Sequence, residues 1–276
     1  MSRKNKVIVG HILILIGIAL PLYGFFGLTK GIILDDAAFR SFMKSGQVYT
    51  ESLAQGIDRY NQDLSDEASI VDPFATDEYD SNYSVKYDVM KNKDEVFAYL
   101  QIPKLGLEQP IYLDASDAHL AMGVAHVEGT DLPTVKPGTR SVIAGHRGYY
   151  QATMFMHLDQ LEAGDPVYIR WPDRTLAYQV ADKEVINSWE TEKLNPVPGQ
   201  TTLTLLTCEY AFLFRSERLL VNCTLYDNPE TLSANTPKEP VAKRVTLVNA
   251  LILLATALLM AALLWRLAKL IRALRQ

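Results

Sequence analysis

Residues 202–226 read TLTLLTCEYAFLFRSERLLVNCTLY. Two apolar runs, Thr202–Thr207 and Arg218–Tyr226, are dominated by Leu, Val and Thr and have the length of single strands. A mixed segment, Glu209–Glu217, separates them and reads as a loop. The first run ends in Cys208 and the second opens with Arg218, so two chemically competent side chains stand at the two strand ends that face one loop.

Upstream the same texture recurs. FAYLQIP (97–103), QPIYL (109–113), SVIAG (141–145), PVYIRW (166–171) and LAYQVADKEVI (176–186) are short, rich in β-branched and aromatic residues, and separated by Gly, Pro, Asp and Asn. Short helices fit at Asp117–Met122 and Thr153–Leu161. Many short strands with few helices imply a mainly β fold, a closed barrel or a sandwich. Before the strands, residues 35–65 read as a helix, with Tyr49, Leu53, Ile57, Tyr60 and Leu64 forming one apolar stripe. Residues 66–95 are acidic and poor in aliphatics, and read as a long loop. Val71-Asp72-Pro73-Phe74 is an apolar knot within it, and from spacing alone an Asp-Pro turn. After the strands, residues 227–242 hold three prolines and no apolar period, the texture of a linker.

The ends differ from the middle. Val7–Leu28 is a run of 22 residues without a formal charge, and Leu247–Leu264 is another of 18, followed by Trp265. Each is long enough to cross a bilayer core of about 30 Å. The first is long for a signal-peptide core and has no small-residue cleavage pattern before Lys30, so it reads as a retained anchor. Arg3, Lys4 and Lys6 precede the first span, and Arg266, Lys269, Arg272 and Arg275 follow the second, which implies cytoplasmic termini and an exported middle. All 32 acidic residues of the 276-residue chain lie between Asp35 and Glu239, against 17 basic residues in 31–242. The net charge of −5 is therefore the sum of basic apolar ends and a strongly acidic middle. Such a middle excludes a nucleic-acid binder, because phosphate is repelled.

The candidate chemistry lies in His146, at a strand end in SVIAGHRGYY, with Cys208 and Arg218. A thiol attacks a carbonyl to form a thioester, an imidazole protonates a departing amine, and an arginine stays charged and donates to a developing oxyanion. The backbone N–H following the nucleophile is a further oxyanion donor. A gap of 62 residues separates His146 from Cys208, so only the fold brings them together. From counting alone, a Cys208–Cys223 disulfide is equally open in an exported domain, although Cys223 in RLLVNCTLY also reads as a small buried hydrophobe. His119, His126 and His157 read as core or surface histidines. No Cys/His cluster has metal-ligand spacing, and no Ca²⁺ ligand loop is recognisable.

These pieces, in this order, resemble a sortase of the pilus-assembling class C. YLQIPKLGLEQPIY is similar to the family's first core strands, and GVAHVEGTDLP, which holds His126, to the stretch leading to the site. AGHRGYYQATMFMHLDQLEAGDPV resembles the segment of the catalytic histidine, TLTLLTC the one ending in the catalytic cysteine, and RLLV the strand opened by the catalytic arginine. The C-terminal span and the Asp-Pro-aromatic lid motif, here Asp72-Pro73-Phe74, are class C features.

The resemblance implies an eight-stranded sortase-type β-barrel with short helices, an N-terminal helix and a lid over the cleft, flanked by two transmembrane helices. His146, Cys208 and Arg218 are the implied catalytic residues. Thr207 and Glu209 are implied in oxyanion stabilisation or substrate positioning, and the lid aromatic and its Asp are expected beside the catalytic groups. The implied activity is cysteine transpeptidation at an LPXTG-like sorting signal, cut between Thr and Gly, with a pilin lysine as acceptor. A cell-wall precursor amine is the alternative acceptor, and a non-catalytic two-span protein with a disulfide the remaining reading. No cofactor is implied. The expected organisation is a cytoplasmic 1–6, a span at 7–28, an exported helix and lid over 29–95, the catalytic barrel over 96–226, a linker at 227–246, a span at 247–265 and a basic cytoplasmic tail at 266–276. The chain departs from the class pattern where Glu209-Tyr210 replaces a common Thr-Pro-Tyr. The ten-residue interval to Arg218, one longer than the common form, leaves Arg215 as a rival arginine.

Overall fold

The computed structural model describes residues 3–64, 70–75, 87–148, 153–209, 217–226 and 241–275. Eight strands, β1 (Ala98–Ile102), β2 (Leu107–Tyr112), β3 (Val124–His126), β4 (Thr139–Ala144), β5 (Pro166–Arg170), β6 (Thr175–Asn187), β7 (Thr201–Cys208) and β8 (Glu217–Leu225), close into a barrel ordered β1-β2-β3-β4-β7-β8-β6-β5. Closure removes the free strand edges that invite aggregation. β2/β3 and β4/β7 are parallel pairs and the others antiparallel. Seven of these strands were legible as apolar runs. β3 escapes that reading because three residues of GVAHVEG carry no period, and it exists by pairing between β2 and β4.

Register assigns the two faces of the sheet. Thr204, Leu206 and Cys208 alternate with Leu203, Leu205 and Thr207. Their β8 partners are Asn222, Leu220 and Arg218 on one face, and Cys223, Val221 and Leu219 on the other. Asn222 bonds Asp182 and Glu184, both within reach of solvent, so that face is the outer one. Leu203, Leu205, Val221 and Cys223 are fully buried and turn into the barrel. An apolar floor of Val142, Ala144, Ile186, Leu206 and Leu220 covers part of the outer face, and Ile70, Leu120 and Leu194 pack on it.

The helix read over 35–65 is two helices. α1 (Arg3–Ser45) contains its first part, and α2 (Glu51–Asp63) begins after a break at Gly46–Thr50. Thr50 caps α2, its hydroxyl accepting from the Leu53 N–H at 3.1 Å, and this cap sets the new start. Phe39 and Phe42 of α1 pack on Tyr99, with ring centroids 5.4 and 4.9 Å apart. Leu53, Ile57 and Tyr60 form the buried face of α2, and Asn61 exchanges two hydrogen bonds with the Leu132 backbone at 3.1 and 2.7 Å. α3 (Asp117–Met122) lies where the sequence places it, whereas residues 153–161 form turns and a short 3₁₀ segment, Leu158–Gln160.

α4 (Lys243–Arg275) is the second long apolar helix. Contacts divide the described residues into a barrel unit, from Asp35 through β8, and a helical unit formed by α1 up to Leu34 and by α4. Within the helical unit both helices are long and apolar enough to cross a membrane, and Leu13, Leu20, Leu254 and Leu258 are exposed along them. Thr29 and Thr256 share a hydroxyl–hydroxyl bond of 2.8 Å between them, a polar contact of the kind that joins helices in lipid. The expected linker residues 227–240 lie outside the described residues, as do 65–69 and 76–86 of the long loop.

Candidate active site

Three neighbouring chain segments converge at one end of the barrel. Cys208 is the last residue of β7 and is the register partner of Arg218 in β8. On the other side of β7, Ala144 of β4 pairs with Leu206, and the ladder continues with the Gly145 N–H on the Leu206 carbonyl at 3.0 Å. His146 follows Gly145 just past the end of β4, and Cys208 ends the neighbouring β7, so the two residues leave the sheet at the same end of the barrel. The order across the outer face is His146, Cys208, Arg218. Cys208 is half-buried and Arg218 is 3% exposed.

Glycine is required just before the histidine. A Cβ at Gly145 would lie 2.8 Å from Val124 Cγ1 and 2.9 Å from Phe155 Cδ2. The strand can therefore exit toward the site only with no side chain there. The His146 carbonyl accepts from the Phe155 N–H at 3.0 Å, which holds the loop from its far side. Burial pushes the His146 imidazole below its usual value, and the Asp117 carboxylate at the start of α3 partly opposes this.

The Asp72-Pro73-Phe74 motif sits beside these residues. Asp72, Pro73 and Phe74 form a turn in which the Ala75 N–H reaches the Asp72 carbonyl at 3.1 Å, with Pro at the position that favours it. The Asp72 carboxylate accepts from Arg218 Nε at 3.0 and 2.9 Å and also from Nη2, a forked pair with both side chains buried. The Phe74 ring centroid lies 5.4 Å from that of His146, and Arg218 Cζ stands 5.6 Å from the Phe74 centroid. Phe74 thus touches both side chains that flank the cysteine, and Ile70 anchors the segment on the apolar floor.

Thr207 and Glu209 stand differently from the other expected residues. Strand alternation turns the Thr207 side chain to the barrel interior, where its hydroxyl is fully buried without a hydrogen-bond partner among the described residues. The Glu209 N–H donates to the Glu217 carbonyl at 2.9 Å, and its carboxylate accepts from Arg147 Nη1 at 2.5 Å. In this arrangement neither Glu209 group is directed at an oxyanion, and a carboxylate is an acceptor only. Arg218 is the register partner of Cys208, and its guanidinium is engaged by Asp72. Sequence reasoning passed over Arg147 and Asp117, whose partners are distant in sequence, although Arg147 was visible in the His-Arg-Gly motif.

The disulfide reading is excluded by the same register. Both cysteines are free. Cys208 pairs with Arg218 and Cys223 with Leu203 on the same two strands. Five residues of strand separate them, about 16 Å, where a disulfide needs Cα atoms within about 7 Å. Burial pushes the Cys223 thiol strongly up. His126 is fully buried, with Nε2 donating to the Asp131 carbonyl at 2.9 Å and Nδ1 accepting from the Tyr87 hydroxyl at 2.9 Å. Both nitrogens are committed to packing, and its imidazole is lowered to about 4 by burial. His119 stacks on Tyr112 at 4.8 Å and meets Asp114, also in a structural setting. Among the described residues no group of His, Cys, Asp and Glu side chains is arranged to hold a metal ion. Arg215 lies outside the described residues.

Comparison with known proteins agrees with this geometry. The sortase domain family model matches residues 100–226. Sortase C-3 from Streptococcus pneumoniae is 36% identical, with a TM-score of 0.61, over 74% of this chain and 97% of that one. The pilus island 1 sortase C2 of group B Streptococcus is 31% identical, with a TM-score of 0.56, over 65% of this chain and 99% of that one. Sortase SrtE1 of Streptomyces coelicolor is 31% identical over 134 residues, 43% of this chain and 38% of that protein, so the match spans well under half of that relative. With a closed eight-stranded barrel, a cysteine between a histidine and an arginine, and whole-domain likeness to sortase C structures, this chain belongs to the sortase family of cysteine transpeptidases and to its class C, pilus-related branch.

Proposed function

We propose that this chain cleaves an LPXTG-like sorting signal between Thr and Gly and joins the released acyl group to a pilin lysine. The observation that supports the reading is the meeting of three segments at one end of the barrel, with His146 just past β4, Cys208 ending β7 and Arg218 opposite it on β8, while Asp72 and Phe74 contact Arg218 and His146. In the first half-reaction Cys208 Sγ, as thiolate, attacks the Thr carbonyl carbon. Arg218 donates to the oxygen as negative charge grows on it. The C–N bond breaks and the Gly amine leaves with the proton of the His146 imidazolium. In the second, a lysine amine attacks the thioester, the C–S bond breaks, Sγ leaves as thiolate, and the amine's proton returns to His146. The thioester suits this task because it preserves acyl activation while an amine competes with water.

Peptide and lid compete for one surface in this reading. Asp72 holds the guanidinium that the oxyanion requires, and Phe74 covers the imidazole, so the lid opens before a peptide binds. We further propose that both termini are cytoplasmic and that the barrel faces the cell exterior, since basic residues cluster outside each apolar run. The test offers the detergent-solubilised chain an LPXTG peptide with either a pilin lysine peptide or a cell-wall peptide amine. A thioester adduct on Cys208 that resolves preferentially onto lysine supports the proposal. Resolution only onto the wall amine transfers the activity to wall attachment, and no adduct on Cys208 defeats both.

A further inference from the structure

The residue following His146 and the residue following Cys208 are joined directly. Arg147 Nη1 donates to Glu209 Oε2 at 2.5 Å, and Arg147 Nη2 lies 3.5 Å from Asp159 Oδ1. The Arg147 side chain is 6% exposed and the Glu209 side chain 24%, so Arg147 is buried and the pair is partly shielded from solvent. Asp159 is itself held, its carbonyl accepting from Lys183 Nζ at 2.8 Å and its carboxylate from Gln160 at 2.8 Å. β4 has ended before His146, and β7 ends at Cys208, so strand hydrogen bonds alone do not set the distance between these two side chains.

We infer that Arg147 and Glu209 form a positioning pair that fixes the imidazole of His146 against the thiol of Cys208. The inference rests on the reading of those two residues as acid and nucleophile. A charge-assisted bond between shielded groups is short and directional, and shifting either loop end by about 1 Å costs roughly a hundredfold in rate when reacting groups must align. The pair adds no group to the reaction itself. Its effect falls on the chemical step and leaves peptide binding alone.

Arg147→Gln, Glu209→Gln, the double variant and the charge exchange Arg147→Glu/Glu209→Arg are compared as full chains in detergent, with kcat, KM and Tm measured for each. The expected result is a roughly ten- to hundredfold fall in kcat for each single variant with KM within about threefold, no further fall in the double variant, and partial recovery on exchange. Unchanged kcat, independent multiplicative losses, or losses that follow KM or the folded fraction each overturn the inference. Cys208→Ala serves as the separate control. If it retains turnover, the underlying assignment fails. If it is inactive while the pair variants turn over normally, only the positioning role fails.

Discussion

Asp72 sets both carboxylate oxygens against the guanidinium of Arg218, with Nε–O distances of 3.0 and 2.9 Å, across 146 residues of sequence. The pair is buried, and Phe74, two residues on, covers His146. A buried forked pair gains little net stability over apolar packing, and whatever displaces Asp72 must supply oxygen acceptors of its own. A peptide carbonyl developing negative charge is such an acceptor.

Opening the lid is therefore expected to raise activity. Asp72→Ala/Phe74→Ala should speed both peptide cleavage and Cys208 alkylation by about tenfold or more, because the competent state ceases to be the minor one. Rates equal to those of the parent chain would remove the lid from regulation. The same variant should extend activity to higher pH. His146 is lowered by burial, so its protonated form is lost early as pH rises, and uncovering the ring moves its value back up.

Arg218→Lys is expected to be damaging despite keeping the charge. A lysine is a point charge without the planar fork, so kcat should fall by roughly 10²–10³, the usual effect of losing one oxyanion donor. Arg215→Ala, assayed beside it, should retain turnover. The opposite ranking would move the role to Arg215.

Gly145→Ala should disturb both fold and site. The added methyl meets Val124 and Phe155 inside van der Waals distance, an overpacking that costs about 1–3 kcal/mol. Thermal unfolding checks the stability, and the residual folded enzyme should show reduced kcat because His146 follows directly. A variant of native stability and rate would contradict the steric account.

His126 links stability to acid. Its folded-state value of about 4 lies below the ordinary 6.5, so the unfolded chain binds the extra proton between those values. Its contribution is complete above about 6.5 and declines as pH falls toward 4, by up to about 3 kcal/mol. Urea unfolding across that range should give a shallower acid limb for His126→Gln than for the parent. Parallel curves would show that protonation of His126 does not limit acid stability.

Thiol counting distinguishes the cysteines. At neutral pH an alkylating reagent should modify Cys208 alone in the folded chain, because Cys223 is fully buried with its thiol pushed up. Unfolding should add the second adduct. Two adducts on the native protein, read by mass spectrometry, would contradict the interior placement of Cys223.

Sequence by itself determined the local facts. The apolar runs of TLTLLTC and RLLVNCTLY specify strands because side-chain alternation and β-branching act over a few residues. The uncharged ends of 22 and 18 residues specify membrane-length helices, and charge bias distinguishes the middle from them. The identity of the candidate thiol, imidazole and arginine was equally local, since each stands where a strand stops or starts. Only tertiary structure decided what those residues meet. β3 has no pattern of its own and exists through its neighbours. The break between α1 and α2 follows from the Thr50 cap, which a continuous apolar stripe conceals. The turn of Thr207 away from Cys208, the engagement of Glu209 by Arg147 and the closure of Asp72 on Arg218 depend on register and loop closure between segments 62 and 146 residues apart. Pairing over such separations is set by the global energy of packing the barrel, and no window of local sequence contains it.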